Sequence, residues 1–333
     1  MRIAFASFFL CLFGALPAFA TDGIYTQFGL DLGYAGRIGY MGGTTPEWAN
    51  YVYGAGTASS RLNALDISSP PNATGLQVDG NIALAGVYST LTVSGRTSIN
   101  GDRYEQTTST ESVHSTGTIT GSRFSSAGIN LINSDLNSGV TSLKKVSHDA
   151  AALAVTAGSR TSLNIGKNQS RTFDNTLTPF SGKYVMNLSS FVMGGGTNGG
   201  SGGTLTLNGA AGSAFVLNIS GTFSLGGNAK ICLTGGLTVS DVLFNITGSN
   251  STFTIGGDAL FNGTLLAYNS SGAQRTLTIT GHNTQINGEL LANRILLQGG
   301  AHVKKPKEKS KEKDDDDDVV AGNSLLRART SAK

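Results

Sequence analysis

Charged residues are scarce in this chain of 333 residues. They make up 14% of the sequence, whereas typical soluble domains contain roughly a quarter. The formal net charge is +3, and the positive and negative side chains of residues 21–303 balance each other. We therefore expect no nucleic-acid partner, because no basic face is available outside the charged C-terminal tail.

Residue types that build catalytic and metal sites are also few or wrongly spaced. The chain has 4 histidines, at positions 114, 148, 282 and 302, and they form neither an HxH nor an HExxH motif, so no zinc site is indicated. No G-x-S-x-G motif occurs. The glycine-rich stretch 194–203 is not followed by the Lys-Ser/Thr of a phosphate-binding loop. We predict that the protein is not an enzyme and binds neither a metal ion nor a cofactor.

Cysteine occurs only at Cys11 and Cys232. Cys11 lies within residues 1–20, which have the charged start, apolar run and small-x-small site of a secretory signal peptide cleaved after Ala20. The apolar run is too short for a stable membrane span, so we expect a secreted or cell-surface protein without a transmembrane segment. Cys232 is then the single cysteine of the mature chain, which excludes an intrachain disulfide. Its place in a strand predicts a small, buried apolar residue.

Short alternating apolar runs, separated by glycine turns, fill residues 203–298. Pairs such as Phe253 and Ile255 alternate with polar residues, which predicts strands. The segment Phe215–Gly227 has a second copy at Val242–Gly257, which contains three inserted residues. This similarity indicates a repeating unit. The pattern predicts an all-β protein with the fold of a right-handed parallel β-helix, in which each turn covers its neighbours. A sandwich of short strands is the alternative.

Three segments depart from this pattern. Residues 21–61 are rich in glycine and aromatic residues and contain the single Trp48, which predicts either a cap over one end of the coil or an aromatic sugar-binding patch. Apolar residues at steps of three and four predict an amphipathic helix at 141–157, lying against the β-helix domain of residues 62–303. Residues 304–333 alternate Lys and Glu before a run of Asp, which predicts a disordered tail. The polar side of the helix is expected to face water: Lys144, Lys145 and His148.

Threonine pairs suggest a binding surface. Threonine alternates with apolar residues on several strands, so its side chains are expected to point outward. The candidates are Thr204, Thr206, Thr252, Thr254, Thr276, Thr278 and Thr280. Stacked pairs would form a flat face that binds ice, a polysaccharide or another extracellular protein. The alternative is that these residues only reflect the high β-propensity of threonine.

Two carboxylates and a repeated asparagine lie near predicted turns. Asp241 and Asp258 have the spacing of neighbouring turns, which is the arrangement that a polysaccharide-active enzyme would need. Both lie beside turns, where aspartate commonly makes local hydrogen bonds, and we interpret them in that way. The asparagines of the repeated N-I-[ST]-G pattern, Asn218 and Asn245, are predicted to be turn or inward residues whose amides hydrogen-bond the next turn.

Four segments resemble the choice-of-anchor A domain of bacterial secreted and surface proteins: Tyr184–Ser190, Thr204–Gly221, Gly235–Asn245 and Gly281–Ala292. The resemblance implies an extracellular β-helix with an adhesive or matrix role and no catalytic residues. The chain departs from this family because it carries neither an LPxTG-like motif nor a terminal hydrophobic span. The helix beside the coil and the stretch 261–267 are also similar to bacterial ice-binding β-helix proteins. We therefore expect a non-catalytic surface or matrix component, with ice binding as the alternative and polysaccharide cleavage as a weaker one.

Overall fold

The computed structural model describes most of the chain between residues 50 and 304. The described residues are 30, 50–54, 65–68, 75–85, 90–94, 97–105, 110–113, 117–125, 130–156, 162–176, 182–196, 200–248, 252–268 and 275–304. The predicted signal peptide and the predicted charged tail beyond residue 304 lie outside this part of the chain. Within it, no helix has the length and apolar character needed to cross a lipid bilayer.

The described chain contains short strands throughout and one α-helix, α1, at Asn130–Ala151. The strands are β1 Asn50–Gly54, β2 Leu65–Ser68, β3 Leu76–Asp79, β4 Asn81–Leu84, β5 Thr90–Ser94, β6 Thr97–Asn100, β7 Arg103–Glu105, β8 Thr110–Val113, β9 Thr118–Ile119, β10 Arg123–Ser125, β11 Ser162–Ile165, β12 Ser170–Asp174, β13 Lys183–Met193, β14 Thr204–Asn208, β15 Ala214–Leu225, β16 Lys230–Thr234, β17 Val242–Ile246, β18 Thr252–Ile255, β19 Leu260–Asn262, β20 Thr264–Ala267, β21 Thr276–Ile279, β22 His282–Asn287, β23 Leu290–Ala292, β24 Arg294–Gln298 and β25 Gly300–Lys304.

The strands wind into a parallel β-helix with three faces, as the alternation predicted. Every pairing between described strands is parallel, in one 16-stranded and one 9-stranded sheet. Successive strands visit the faces in a fixed order. We call them the helix face (β1, β4, β7, β10, β17, β20, β23 and the first halves of β13 and β15), the threonine face (β2, β5, β8, β11, β18, β21, β24 and the second halves of β13 and β15) and the amide face (β3, β6, β9, β12, β14, β16, β19, β22, β25). Because β13 and β15 continue around the corner, the first two faces form one sheet.

The turns of the coil do not stack in chain order. The last turn of the C-terminal half, β23 to β25, pairs with the first turn of the N-terminal half, β1 to β3. The coil therefore runs from β11 to β25 and continues through β1 to β10, as in a circularly permuted chain. Helix α1 returns the chain from the end of this stack to its beginning.

A polar cluster joins the two halves where β25 meets β3. The His302 Nε2 and Asp79 Oδ2 atoms lie 2.8 Å apart, although the two residues are far apart in sequence. Asn100 and Gln77 each donate a side-chain hydrogen bond of 2.7 Å to Asp79 Oδ1. Burial alone raises the pKa of the Asp79 carboxyl, but the hydrogen bonds from His302, Asn100 and Gln77 outweigh it and hold the pKa below its ordinary value. The ionised carboxylate therefore stabilises this junction.

Acid is expected to remove the contribution of Asp79 to stability. A carboxyl group whose pKa is lowered by folding stabilises the folded protein above its unfolded-state pKa, and this stabilisation is lost as the pH falls through the folded-state pKa. The side chains of His302 and Asp79 are 30% and 33% exposed, so we expect Asp79→Asn to lower the free energy of unfolding by only about 1 kcal/mol at pH 6. The difference between wild type and variant should shrink below about pH 4. Denaturant unfolding at several pH values measures it, and a difference that grows in acid would contradict the assignment.

Aromatic and aliphatic side chains fill the inside of the coil. The inward positions of the strands are almost fully buried, and four rings stack or meet edge to face across neighbouring turns: Phe191, Phe223, Phe244 and Phe261. Since each turn covers the next, a continuous core forms without disulfides.

Helix α1 covers the helix face along much of its length. Its 22 residues rise about 1.5 Å each and span about 33 Å, which matches the six strand spacings of about 4.8 Å between β7 and β15. The helix was predicted at 141–157, but it begins at Asn130 and ends at Ala151. It extends through Gly139, which is buried, and the chain after it becomes extended where Thr156 hydrogen-bonds the edge of β13. The predicted exposure of its polar side is confirmed: Lys144, Lys145 and His148.

The helix packs on apolar residues that point outward from the sheet. One outward side chain from each of several successive strands joins Leu136, Leu143, Val146 and Ala150 of the helix in a second apolar cluster, and these are Ala83, Tyr104, Val185, Val216, Leu243, Leu266 and Leu291. The sequence indicates that these strands are buried on both sides, because they have consecutive rather than alternating apolar residues.

An asparagine ladder fixes the C-terminal half of the helix to the sheet. Asn245 Nδ2 donates to Asn218 Oδ1 at 2.8 Å, and Asn218 Nδ2 donates to Asn187 Oδ1 at 3.0 Å. The same amides donate to the helix carbonyls of Ala150 at 2.7 Å and Ser147 at 2.9 Å. Hydrogen bonding to the next turn is thus confirmed, but the side chains face the helix rather than the inside of the coil.

The aromatic-rich segment was predicted to cap one end of the coil or to bind sugar. Its described strand, Asn50–Gly54, instead pairs with β23 on one side and β4 on the other, in the interior of the stack. Leu30 is buried in the cluster beneath the helix. The coil therefore includes residues earlier than position 62, and the other residues of 21–49 lie outside the described chain.

Candidate functional site

The threonine face presents a regular array of hydroxyl groups. Phe253, Ile255, Leu277 and Ile279 occupy the inward positions of β18 and β21 and are fully buried. The residues between them therefore take the outward positions, since successive side chains of a strand point to opposite sides. The described threonines of these positions are partly exposed.

Pairing of the strands aligns residues of neighbouring turns in two columns. Over five successive turns the first column contains Ser190, Thr222, Thr252, Thr276 and Arg294, and the second contains Val192, Ser224, Thr254, Thr278 and Leu296. Thr252 lies opposite Thr276, and Thr254 lies opposite Thr278. Further along the stack, β5 pairs Thr90 and Thr92 with Thr110 and Ser112 of β8.

The geometry of this array follows from the sheet. Neighbouring turns are about 4.8 Å apart, and the two columns are separated by two residues, or about 6.6 Å. Thr254 Oγ1 donates a hydrogen bond of 3.2 Å to Ser224 Oγ on the next turn, which orients both hydroxyls. Each threonine also presents a methyl group, so the face combines hydrogen-bonding and apolar contacts on a rigid support.

The seven threonines predicted as one face lie on two sheets. Thr252, Thr254, Thr276 and Thr278 share the threonine face, and Thr280 follows at its edge, where its backbone N–H bonds Ile255. The other two, Thr204 and Thr206, belong to β14 on the amide face, where they lie opposite Lys230 and Cys232. Strand order around the coil separates the pairs, although the local pattern of each is the same.

Thr222 and Ser224 were not predicted from the sequence. They occupy the turn next to Thr252 and Thr254, and they complete a block of three turns. A usable signal was present, because Thr222-Phe-Ser224 is the counterpart of Thr252-Phe-Thr254 in the repeated segment. The pair was overlooked because Ser224 occupies the position that corresponds to Thr254.

A buried arginine fixes the entry to β21. Arg275 is only 5% exposed, and its guanidinium donates hydrogen bonds to the backbone carbonyls of Ile246, Thr247 and Tyr268. Burial lowers the pKa of Arg275. Because the side chain bonds three carbonyls of neighbouring turns, it holds the adjacent Thr276 in position on the face.

Asp241 and Asp258 do not form a paired site. Asp241 is buried at the start of β17, where its Oδ2 accepts hydrogen bonds from the backbone N–H and the hydroxyl of Thr238 at 2.6 and 2.7 Å. Asp258 lies at the corner between the threonine and amide faces with φ of 55°, and it accepts a hydrogen bond from Asn283. Both are engaged in turns, as interpreted from the sequence.

Corner residues with positive φ recur along the stack. Asn168, Asn228, Asp258 and Asn283 have φ of 59°, 59°, 55° and 55°, a conformation that asparagine and aspartate tolerate better than most residues. Aspartate at this position therefore reflects backbone geometry.

The remaining histidines and Cys232 are dispersed. His282 is exposed at a corner, His302 lies in the junction, and position 114 is outside the described chain. Among the residues that the structure describes, no group of three His, Cys, Asp or Glu side chains is placed to hold a metal ion. Cys232 was predicted to be buried, but it is partly exposed on the outward side of β16, because Ile231 and Leu233 take the inward positions.

The chain matches one family of known proteins. A family model described as "Putative Ice-binding-like adhesive domain" matches residues 40–303. No curated protein sequence matches the chain. The match supports the resemblance to ice-binding β-helix proteins, whereas the resemblance to the choice-of-anchor A domain stays a prediction.

Several solved structures match the chain. An ice-binding protein from an Antarctic biological consortium is 18% identical, with a TM-score of 0.50 over 84% of this chain and 91% of its own. An ice-binding protein from an Arctic yeast is 16% identical, with a TM-score of 0.49 over 88% of this chain and 98% of its own. An ice-binding protein domain from Shewanella frigidimarina is 13% identical, with a TM-score of 0.49 over 84% and 98%. At such identities the first of these shows the shared β-helix fold alone.

Proposed function

The chain belongs to the ice-binding-like adhesive domain family, and we propose that it is a secreted, non-catalytic β-helix protein whose threonine face binds an extracellular surface. The observation that carries this proposal is the block of in-register threonine and serine residues from Thr222 to Thr278, supported by a buried core. Secretion rests on the signal-peptide pattern of residues 1–20.

An adhesive role accounts for the composition of the face. A surface-binding protein needs a rigid, exposed area with hydrogen-bonding and apolar groups, and threonine supplies both. The face also contains Val192, Arg294 and Leu296 in the same two columns, so its chemistry changes from turn to turn. Such a mixture suits a polymer or a cell-surface component. The local engagement of Asp241 and Asp258 supports a function without catalysis.

Ice binding is the second candidate, and the Thr252/Thr254 and Thr276/Thr278 pairs favour it. Two adjacent Thr-x-Thr pairs are in register at the spacing of neighbouring turns, and the hydroxyl and methyl groups of threonine are suited to ordering water. With Thr222 and Ser224 the block covers three turns, or about 10 Å along the stack. A charged arginine in the next turn limits its extent, which is why we place adhesion first.

Bulky substitutions on the threonine face are expected to abolish surface binding. Thr254→Tyr and Thr278→Tyr place a ring above a flat array and should weaken binding at least about tenfold, since lifting a ligand off the surface removes contacts with several turns. Thr206→Tyr is the matched control, because Thr206 also belongs to a Thr-x-Thr pair but lies on the amide face.

Two assays separate the candidates. Ice-recrystallisation inhibition and thermal hysteresis measure ice binding, and retention on immobilised extracellular polysaccharides measures adhesion. Loss of only the ice activity in the two variants would favour the second candidate. Equal loss in Thr206→Tyr, or unchanged binding in all three variants, would show that this face is not the binding surface.

A further inference from the structure

Arg294 breaks the hydroxyl columns at a defined place. It lies opposite Thr276 in the first column, and Leu296 lies opposite Thr278 in the second. Both side chains are partly exposed. The turn formed by β24 therefore replaces a pair of threonines by one cation and one apolar side chain.

The guanidinium of Arg294 is not paired with an acidic side chain in the part of the chain that the structure describes. Its buried Nε has no hydrogen-bond partner among the described residues. The following turn places Asp66 beside Leu296, in the other column. Arg294 differs in this respect from Arg123, which pairs with Glu105 at 2.8 Å, and from Arg275, which bonds backbone carbonyls.

From this arrangement we infer that the threonine face binds an acidic polysaccharide, with Arg294 holding a carboxylate or sulfate group. A guanidinium offers a planar pair of donors that matches either acid. The hydroxyls of Thr276 and Thr278 lie one turn away, about 4.8 Å along the stack, where they can hydrogen-bond sugar hydroxyls. Leu296 offers an apolar contact for the C–H side of a sugar ring. The inference rests on the proposed function and specifies its ligand.

The residue types of the threonine face favour an acidic polysaccharide over a protein or a neutral sugar. No aromatic residue occupies an outward position on the described strands of the threonine face, whereas protein interfaces are enriched in Tyr, Trp and Phe. Stacking on a neutral sugar ring is equally missing from these strands. In the two columns from Ser190 to Leu296, Arg294 is the one charged residue, and charge complementarity selects an acidic polymer.

Binding of three soluble polymers to the full-length protein tests the inference: alginate, which carries carboxylates, dextran sulfate, and neutral dextran. Arg294→Gln should weaken binding to the acidic polymers about tenfold, Arg294→Lys should retain part of it, and the wild-type affinity should fall with added salt. Lys230→Gln on the amide face removes an exposed charge of the same sign and should leave binding unchanged. The preference of the wild type between alginate and dextran sulfate identifies the acid.

Failure of this inference is distinguishable from failure of the proposed function. If Thr278→Tyr abolishes binding to the acidic polymers and Arg294→Gln does not, the face binds but the role of Arg294 is overturned. Equal binding of dextran and alginate overturns it as well. If neither variant alters binding, both proposals fail. Removing an arginine with a purely structural role would lower the thermal midpoint of unfolding. We therefore expect the thermal midpoint of Arg294→Gln to match that of wild type, and a large fall would argue for a structural role.

Discussion

Replacing Phe244 with alanine is expected to lower the free energy of unfolding by about 4 kcal/mol, the typical loss for a large core aromatic. Phe244 is fully buried, and its ring lies 5.2 Å from that of Phe261 and 5.6 Å from that of Phe191. The substitution removes the contacts that link three successive turns. It also leaves a cavity that a close-packed coil cannot collapse, since the backbone of each turn is bonded to both neighbours.

Urea unfolding followed by circular dichroism measures this loss. Phe244→Leu is the matched control, because it keeps most of the apolar volume and should cost about 1–2 kcal/mol. A loss of less than about 1 kcal/mol for the alanine variant would mean that the aromatic cluster does not stabilise the core.

Asn218→Ala is expected to cost about 2–3 kcal/mol, because it removes three hydrogen bonds of a buried side chain. Asn218 is 4% exposed. Its amide bonds Asn187 on one side, accepts from Asn245 on the other, and donates to the carbonyl of Ala150. Removing it breaks the ladder in the middle and frees the last turn of the helix from the sheet.

Asn262→Ala is the comparison that separates burial from hydrogen bonding. Asn262 makes the same kind of contact, accepting from Asn287 at 2.7 Å and donating to the carbonyl of Ile231 at 2.6 Å, on the amide face. It is partly exposed, so water can replace the lost bonds and the loss should stay below about 1 kcal/mol. Hydrogen exchange in helix α1 should increase only in Asn218→Ala. Equal effects of the two substitutions would contradict a role in docking the helix.

Local pattern identified a large part of the candidate site. Alternation of Thr with Phe, Leu and Ile predicted that Thr254, Thr276 and Thr278 point outward, because each neighbour is apolar and strand periodicity is two. The same rule could not tell that Thr204 and Thr206 lie on another face. Strands of the threonine face and of the amide face alternate in the same way, so a short segment does not show which of these two faces it joins. Arg294 was not predicted either, since its place in the column follows only from its pairing with Thr276.

For helix α1, the sequence predicted the buried side but not the first residue. Steps of three and four predicted an amphipathic helix with Leu143, Val146 and Ala150 on its buried side. Its start at Asn130 was missed, because Gly139 is a poor helix former by propensity and only packing against the sheet compensates for it. Tertiary contact decides the boundaries of this element, whereas its periodicity decides which side is buried.

By itself, the sequence determined the strands, the inward apolar residues of those that alternate, the parallel coil and one flanking helix, because these depend on periodicity and turn residues within a few positions. Only the tertiary structure decided the order of the turns. The parallel ladder between β25 and β3 joins residues that are far apart in the sequence, and backbone hydrogen bonds of a parallel sheet are alike whichever strands they connect. That order places β2 beside β24, so the turn that contains Arg294 is followed by a turn from the N-terminal half.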